Sequence, residues 1–365
     1  MESFIQLRKG TTPRQVHRDL DGLKEDEMGR SGFTGRTTFF YRRNDPSRYR
    51  VEGDLRPLDV LTGTLEPGDL HDAAGEPMPL FANDDCRILL SRRTQAAPFY
   101  ERNVDGDELV FVHRGTGHFE TEFGRLPYRP GDYVYLPKST TYRQVPDGPS
   151  HLLVVEAREE FRVPAAGSNG RYFPYDPALI TVPEPEVFEE PRRDEHEIRL
   201  RHLGGRTSLF TPNHPLDAEG WRGDNFAFTF NIDDYDVITS ESVHLPPTVH
   251  LFMQATGVYV MNFLPRPAEG VPGTERIPWY HRNVDYDEIA FYHGGNVFGV
   301  DMPEGLISHV PQGIHHGIPE RARERSRRRF DVDERVEWKV IAIDTRRRLV
   351  PAPELLDAAQ KEAQS

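Results

Sequence analysis

Residues 98–112 read PFYERNVDGDELVFV and residues 278–292 read PWYHRNVDYDEIAFY, identical at nine of fifteen positions without a gap. An internal repeat constrains a fold more than composition does, because each copy must build the same structural unit. The shared frame runs past the matching segment. Glu108 and Glu288 are each followed seven residues later by a glycine, Gly115 and Gly295. Gly131 and Gly305 each precede a proline, Pro137 and Pro311, by six residues. One unit has been duplicated within the 365-residue chain.

The unit is built of short strands. The runs ELVFV, DYVYL and HLLVVEA in the first copy, and EIAFY, LISHV and WKVIAI in the second, are separated by turn signals such as RPGDY (129–133) and PEGL (303–306). Thirty glycines and 31 prolines fit frequent turns, and short strands at regular spacing predict a sandwich or barrel, not a parallel sheet with crossover helices. The expected division is an N-terminal lobe over 1–162, a Pro-rich connector over 163–195 (VPAAG…FPYDP…VPEPEVFEEP), a C-terminal lobe over 196–350 and a tail over 351–365. The tail, PAPELLDAAQKEAQS, reads as a surface helix, and the charged first 30 residues as a short helix. A formal net charge of −14 argues against a nucleic-acid partner. No apolar run is long enough to span a membrane, and MESFIQLRKG lacks the apolar core of a signal peptide. A single cysteine, Cys86, excludes an intrachain disulfide and reads as a small buried residue. These features predict a soluble cytoplasmic protein.

The second copy carries a ligand-like pattern. His281 stands seven residues before Glu288, and Gly305 opens a run through Pro311, Gly313, His315 and His316. This resembles the two motifs of cupins, His-x-His…Glu…Gly and Gly-x5-Pro-x-Gly-x2-His, with Asn283 where the second histidine of the first motif would stand. The resemblance implies an all-β bicupin: two cupin (jelly-roll) β-barrel lobes with short flanking helices. His281, Glu288 and His316 form the metal set. Two imidazoles and one carboxylate leave open positions on an octahedral ion, as non-haem Fe(II) oxygenases require. A histidine beside a glutamate is more often a satisfied polar pair; the double motif in a duplicated frame lifts this set above that reading. In the first copy Glu101 and Tyr142 replace the histidines and only Glu108 survives. That trio is a poor metal site, so the N-terminal lobe reads as structural.

The second half also resembles homogentisate 1,2-dioxygenases, especially the shorter bacterial type. The residues that carry this are WYHRN (279–283), Glu288 with Gly295, SHVPQGIHHGIP (308–319) and WKVIAIDTRRRL (338–349). The resemblance is good over 225–350, looser over 95–160 and weak over the first 90 residues. It implies Fe(II) on His281, Glu288 and His316. It also implies an upstream His-x-x-Pro histidine that contacts or deprotonates the substrate hydroxyl: in HLPPTVH this is His244, with His250 as its rival. His309 and Asn283 are the expected substrate contacts. The chain departs from the family after His316-Gly317, where Ile-Pro-Glu-Arg replaces Pro-His-Pro-Gly, and in RARERSRRRF (321–330), which reads as a solvated loop paired with the acids at 331–337. The implied activity is ring cleavage of a hydroxylated aromatic acid by O2, homogentisate first, in a homo-oligomer. The alternatives are another metal-dependent bicupin, such as a gentisate-type oxygenase or an isomerase, and a non-catalytic binding bicupin.

Overall fold

A computed structural model describes residues 7–31, 35–165, 176–188, 193–203, 205–234, 237–240, 250–297 and 300–362. The first repeat contains β1 (Lys24–Gly29), β2 (Thr37–Arg42), β3 (Leu58–Leu61), β4 (Met78–Ala82), β5 (Cys86–Ser91), β6 (Tyr100–Asn103), β7 (Asp107–Arg114), β8 (Gly117–Thr121), β9 (Gly124–Tyr128), β10 (Asp132–Leu136), β11 (Thr141–Pro146) and β12 (His151–Ala157). The second contains β13 (His196–His202), β14 (Gly205–Thr211), β15 (Phe228–Asn231), β16 (His250–Ala255), β17 (Val258–Phe263), β18 (Arg266–Pro267), β19 (Tyr280–Asn283), β20 (Asp287–Gly294), β21 (Asn296–Val297), β22 (Val300–Asp301), β23 (Leu306–Val310), β24 (Arg335–Val336), β25 (Lys339–Thr345) and β26 (Val350–Pro351). The described α-helices are α1 (Glu320–Arg328) and α2 (Pro353–Glu362). The all-β architecture is the one the repeat and its turn signals predict, and the paired barrels are those the cupin resemblance implies. Neither helix is long and apolar enough to cross a membrane.

One lobe pairs a seven-stranded sheet, β15-β10-β7-β12-β5-β4-β26, with a six-stranded sheet, β14-β13-β6-β11-β8-β9. The other contains the six-stranded sheet β16-β17-β25-β20-β23-β3 and the three-stranded sheet β19-β1-β2. The lobes exchange strands. β1 runs parallel to β19 of the second copy, and β13 runs parallel to β6 of the first. β3 pairs antiparallel with β23, and β15 with β10. Each repeat therefore donates its first three strands to the other's barrel. This corrects the expected lobe boundary at residue 196: β13 to β15 complete the N-terminal barrel, and β1 to β3 the C-terminal one. Sequence similarity marks a residue's place in the repeat and says nothing of the barrel it joins. Parallel partners also need a long crossover, which this exchange provides.

Because side chains alternate along a strand, each large sheet has one face toward the other lobe and one toward its own barrel interior. Leu109, Phe111, Tyr133, Leu153 and Phe230 on one side, and Val60, Ile289, Phe291, Ile307, Ile341 and Ile343 on the other, form one continuous buried core between the lobes. The interior of the N-terminal barrel is filled: Leu89, Val110, Val112, Phe119, Leu126, Val134, Tyr142 and Val154 make a second cluster. The matching positions of β20 and β23 in the C-terminal barrel, Ala290, Tyr292, Leu306, Ser308 and Val310, are only half-buried. The repeat's shared glycine sits at a turn with φ +94° at Gly115 and +82° at Gly295. A Cβ there would strike the Pro149 or the Glu337 carbonyl.

Two local expectations change. The charged start forms no helix among residues 7–30; β1 is held there between β2 and β19. RARERSRRRF is largely helix α1, not a loop. The expected pairing with the acids that follow is present, as Arg329 binds Asp333 at 2.7 Å. Arg323, however, is 4% exposed. The tail helix forms as expected, and Leu355 anchors it in the core between the lobes.

Three histidines meet at this interface. His113 Nδ1 lies 2.9 Å from His293 Nδ1, and the His113 and His151 rings are 4.8 Å apart. Burial, then neighbouring positive groups, push His113 down to about 2; burial first also takes His151 and His293 to about 4. All three are depressed from 6.5, so the unfolded chain takes up protons that the folded cluster refuses. Their contribution is intact above about pH 6.5 and is lost as the pH falls toward the folded values. The denaturant midpoint should drop between pH 6.5 and 4.5 and should drop less in His113→Gln; equal slopes in the two proteins would refute this.

Candidate metal centre

The site is built where β19 meets the segment after β23. His281 and His316 exchange both backbone bonds, His281 N to His316 O at 2.9 Å and His316 N to His281 O at 2.8 Å. This places their rings side by side, with centroids 3.9 Å apart. Buried Arg323 fixes the two segments together. Its guanidinium donates to the carbonyls of Ile277 and Pro278 before β19 and of Ile318 after His316, and lies 4.2 Å above the Tyr280 ring. Glu288 faces them from β20. Its Oε2 is 3.2 Å from His316 Nε2 and 3.4 Å from His281 Nε2.

One ligand atom from each of the three lies within 4.8 Å of the others, and no other such group of three occurs among the described residues. His316 Nδ1 lies 3.2 Å from the Ile314 carbonyl, and a backbone bond to Trp279 holds the His281 ring. Nδ1–H directed at a carbonyl leaves the Nε2 lone pair of a neutral imidazole facing inward. Two lone pairs and a carboxylate oxygen then converge, an arrangement that only protons or a metal cation reconcile. Burial opposes charge on Glu288, but His316 and His281 hold its carboxyl well below the usual range. Burial likewise works against a charged His281, yet Glu288 and then Glu27 raise it. The donor set fits a borderline divalent ion such as ferrous iron.

Asn283 joins the site: its Nδ2 donates to Glu288 Oε2 at 3.1 Å. His309 does not. It lies opposite Ile289 in the β20–β23 register, on the face turned away from Glu288. Its Nε2 is 2.9 Å from Asp287 Oδ2, and its ring meets Phe81 of the other lobe. The expected contact with substrate is corrected accordingly: a one-residue offset from Glu288 reverses the face. His250 also faces the lobe interface, since it pairs with Asn262, whose side chain accepts from Tyr133 of the other lobe at 2.6 Å. His244 lies outside the described residues. A residue not anticipated from sequence is Asp344, directly opposite Glu288 on β25 and 7% exposed. Burial, then the charge of Glu288, push its pKa well up. The signal available was an acid inside the apolar run WKVIAID at the same strand parity as Glu288.

The N-terminal barrel repeats the frame with other chemistry. Tyr142 pairs with Glu101 as His316 pairs with His281. Arg201 of β13 enters from the side, donating to Glu108 and, at 3.3 Å, to the Tyr142 hydroxyl. Tyr142 in turn donates to the other Glu108 oxygen at 3.0 Å. Burial works against charge on Arg201, but Glu108, Tyr142 and Glu101 raise its pKa well above the usual. What remains is a cavity of about 40 Å³ lined by Glu101, Glu108, Tyr142 and Arg201, room for little more than a water. Accordingly, His281→Ala and His316→Ala should each abolish Fe(II) binding yet leave the circular dichroism of the barrels unchanged, and the parent should bind about one iron per chain. Two tightly held ions per chain, or full retention of iron in either variant, would contradict this assignment.

The N-terminal model of the homogentisate 1,2-dioxygenase family matches residues 90–232, a span that ends just past β15 and so takes in the strands donated to the N-terminal barrel. A provisionally named dioxygenase of Saccharolobus solfataricus is 26% identical over 312 residues, 79% of each chain. The homogentisate 1,2-dioxygenase of Emericella nidulans is 24% identical over 334 residues, 80% of this chain and 75% of that one. Among solved structures, a cupin 2 conserved barrel domain protein from Leptotrichia buccalis covers 82% of this chain and 100% of its own at TM-score 0.36 and 10% identity. The Ylba protein of E. coli covers 82% and 95% at TM-score 0.40 and 10% identity. With the family model on one barrel and two relatives matched over 79% and 80% of the chain, the chain is related to the homogentisate 1,2-dioxygenase family.

Proposed function

We propose that this protein is an Fe(II)-dependent ring-cleaving dioxygenase for a hydroxylated aromatic acid, homogentisate first, giving maleylacetoacetate. The observation that carries the reading is the convergence of His281, Glu288 and His316 beside strand positions of β20 and β23 that are only half-buried. Ferrous iron, when bound, supplies Lewis acidity toward a phenolic hydroxyl and the one-electron reactivity that brings O2 to an aromatic ring. The chain supplies the rest. The backbone acceptors behind the two imidazoles hold them in one tautomer and orientation, and Asn283 holds the Glu288 carboxylate. Tyr292, Ser308 and Tyr259 line the same interior face as Glu288 and offer an aromatic, partly polar wall to a planar substrate. His244 is assigned the proton-accepting role toward the substrate hydroxyl, because the register turns its rival His250 away from Glu288.

With His309 bonded to Asp287, the acid arm of the substrate is not read by that residue. This favours testing several hydroxylated acids, including a gentisate-type reading. Oxygen uptake by the anaerobically Fe(II)-loaded protein, with homogentisate against gentisate and other dihydroxy acids, tests the proposal. Homogentisate should give one equivalent of O2 consumed per ring opened, and His244→Ala should keep its iron while losing turnover by roughly 10²–10⁴. Uptake with none of these acids by a fully iron-loaded protein would overturn the assignment.

A further inference from the structure

The two barrels differ at one backbone position in a way that the metal reading above makes meaningful. In the N-terminal barrel, β13 runs beside β6 with Arg201 against Asn103. In the C-terminal barrel, β1 runs beside β19 with Gly29 against Asn283. Asn103 and Asn283 are the same position of the repeat, YERN and YHRN. Gly29 therefore occupies in one barrel the place that Arg201 occupies in the other.

The backbone does not explain this glycine. Gly29 is not among the residues with positive φ. The three atoms nearest a Cβ built on it all belong to the flexible Glu27 side chain, the closest its carboxyl carbon at 3.4 Å, an ordinary van der Waals contact. At the equivalent place in the other barrel stands the side chain with which Arg201 reaches Glu108.

We propose that Gly29 determines that the C-terminal barrel takes a metal cation. A guanidinium carried on this position would meet Glu288 as Arg201 meets Glu108, and would replace the ion as that half-buried carboxylate's counter-charge. The two barrels are then alternative solutions of one electrostatic requirement: an internal cation on the donated strand, or glycine there and an external ion. This inference rests on the metal reading of His281, Glu288 and His316.

The test uses the full chain and Fe(II) alone, added anaerobically. The readouts are iron retained per chain after gel filtration and the iron-induced shift in Tm. The parent and Gly29→Ala should retain equal iron and rise in Tm with it. Gly29→Arg should stay folded, retain less than about a tenth of that iron and show no iron-dependent Tm shift. Gly29→Lys, shorter but equally charged, should also lose iron and serves if the arginine variant fails to fold. A folded cationic variant with parental iron content overturns the proposal. So does loss of iron in Gly29→Ala as complete as in Gly29→Arg, because a methyl group carries no charge. A parent that binds no iron overturns the metal reading itself, and is distinguished from both by the wild-type measurement alone.

Discussion

Each barrel places a glutamate at the same point of its frame, buried at Glu108 and half-buried at Glu288, and a carboxylate drawn out of water must be given a positive partner or a proton. An isolated ionised carboxylate in a protein interior costs several kcal/mol, and removing one partner of a buried pair costs about 3–5 kcal/mol. At Glu108 the partner is Arg201, with Tyr142 donating to the second oxygen. At Glu288 two imidazoles approach a single oxygen, with Asn283 beside them. The first arrangement gives each Glu108 oxygen a donor and leaves a cavity of only about 40 Å³. The second brings two imidazole Nε2 atoms to one carboxylate oxygen, and the proposal that only this lobe binds an ion rests on that difference.

The exchange of strands makes both arrangements composite. Arg201 reaches the first barrel only because β13, from the second repeat, is laid against β6. In the other barrel, β1 brings Gly29 and Glu27 alongside β19. Glu27 accepts from Trp279 Nε1 at 2.6 Å and from Thr37 at 2.7 Å, and its charge adds to that of Glu288 at His281. Each site is therefore assembled from residues some 90 to 250 positions apart in sequence. The continuous apolar core between the lobes then ties the two barrels into one body.

Much of this was legible in the sequence because it is local. The duplicated PxYxRNVDxDE segment fixes a strand, a turn and a strand, and the spacing from His281 to Glu288 survives folding because one tight turn joins β19 to β20, although the two strands enter different sheets. His316 was found because its motif spans one tight turn. What escaped depends on which strand lies beside which. Arg201 and Gly29 have no motif, and their equivalence exists only in the parallel registers of two donated strands. His309 carried the right residue type but the wrong parity, and alternation along β23 turns it toward Asp287. The arginine-rich segment looked solvated by composition, yet Arg323 is buried because three backbone carbonyls around the histidine segments need a donor.

The most direct measurement is anomalous diffraction at the iron edge from crystals of the Fe(II)-loaded protein. The account predicts one peak per chain, between His281 Nε2, His316 Nε2 and Glu288 Oε2, and none in the barrel that holds Arg201. A peak at Glu108, or iron bound away from the His281, Glu288 and His316 side chains, would contradict it.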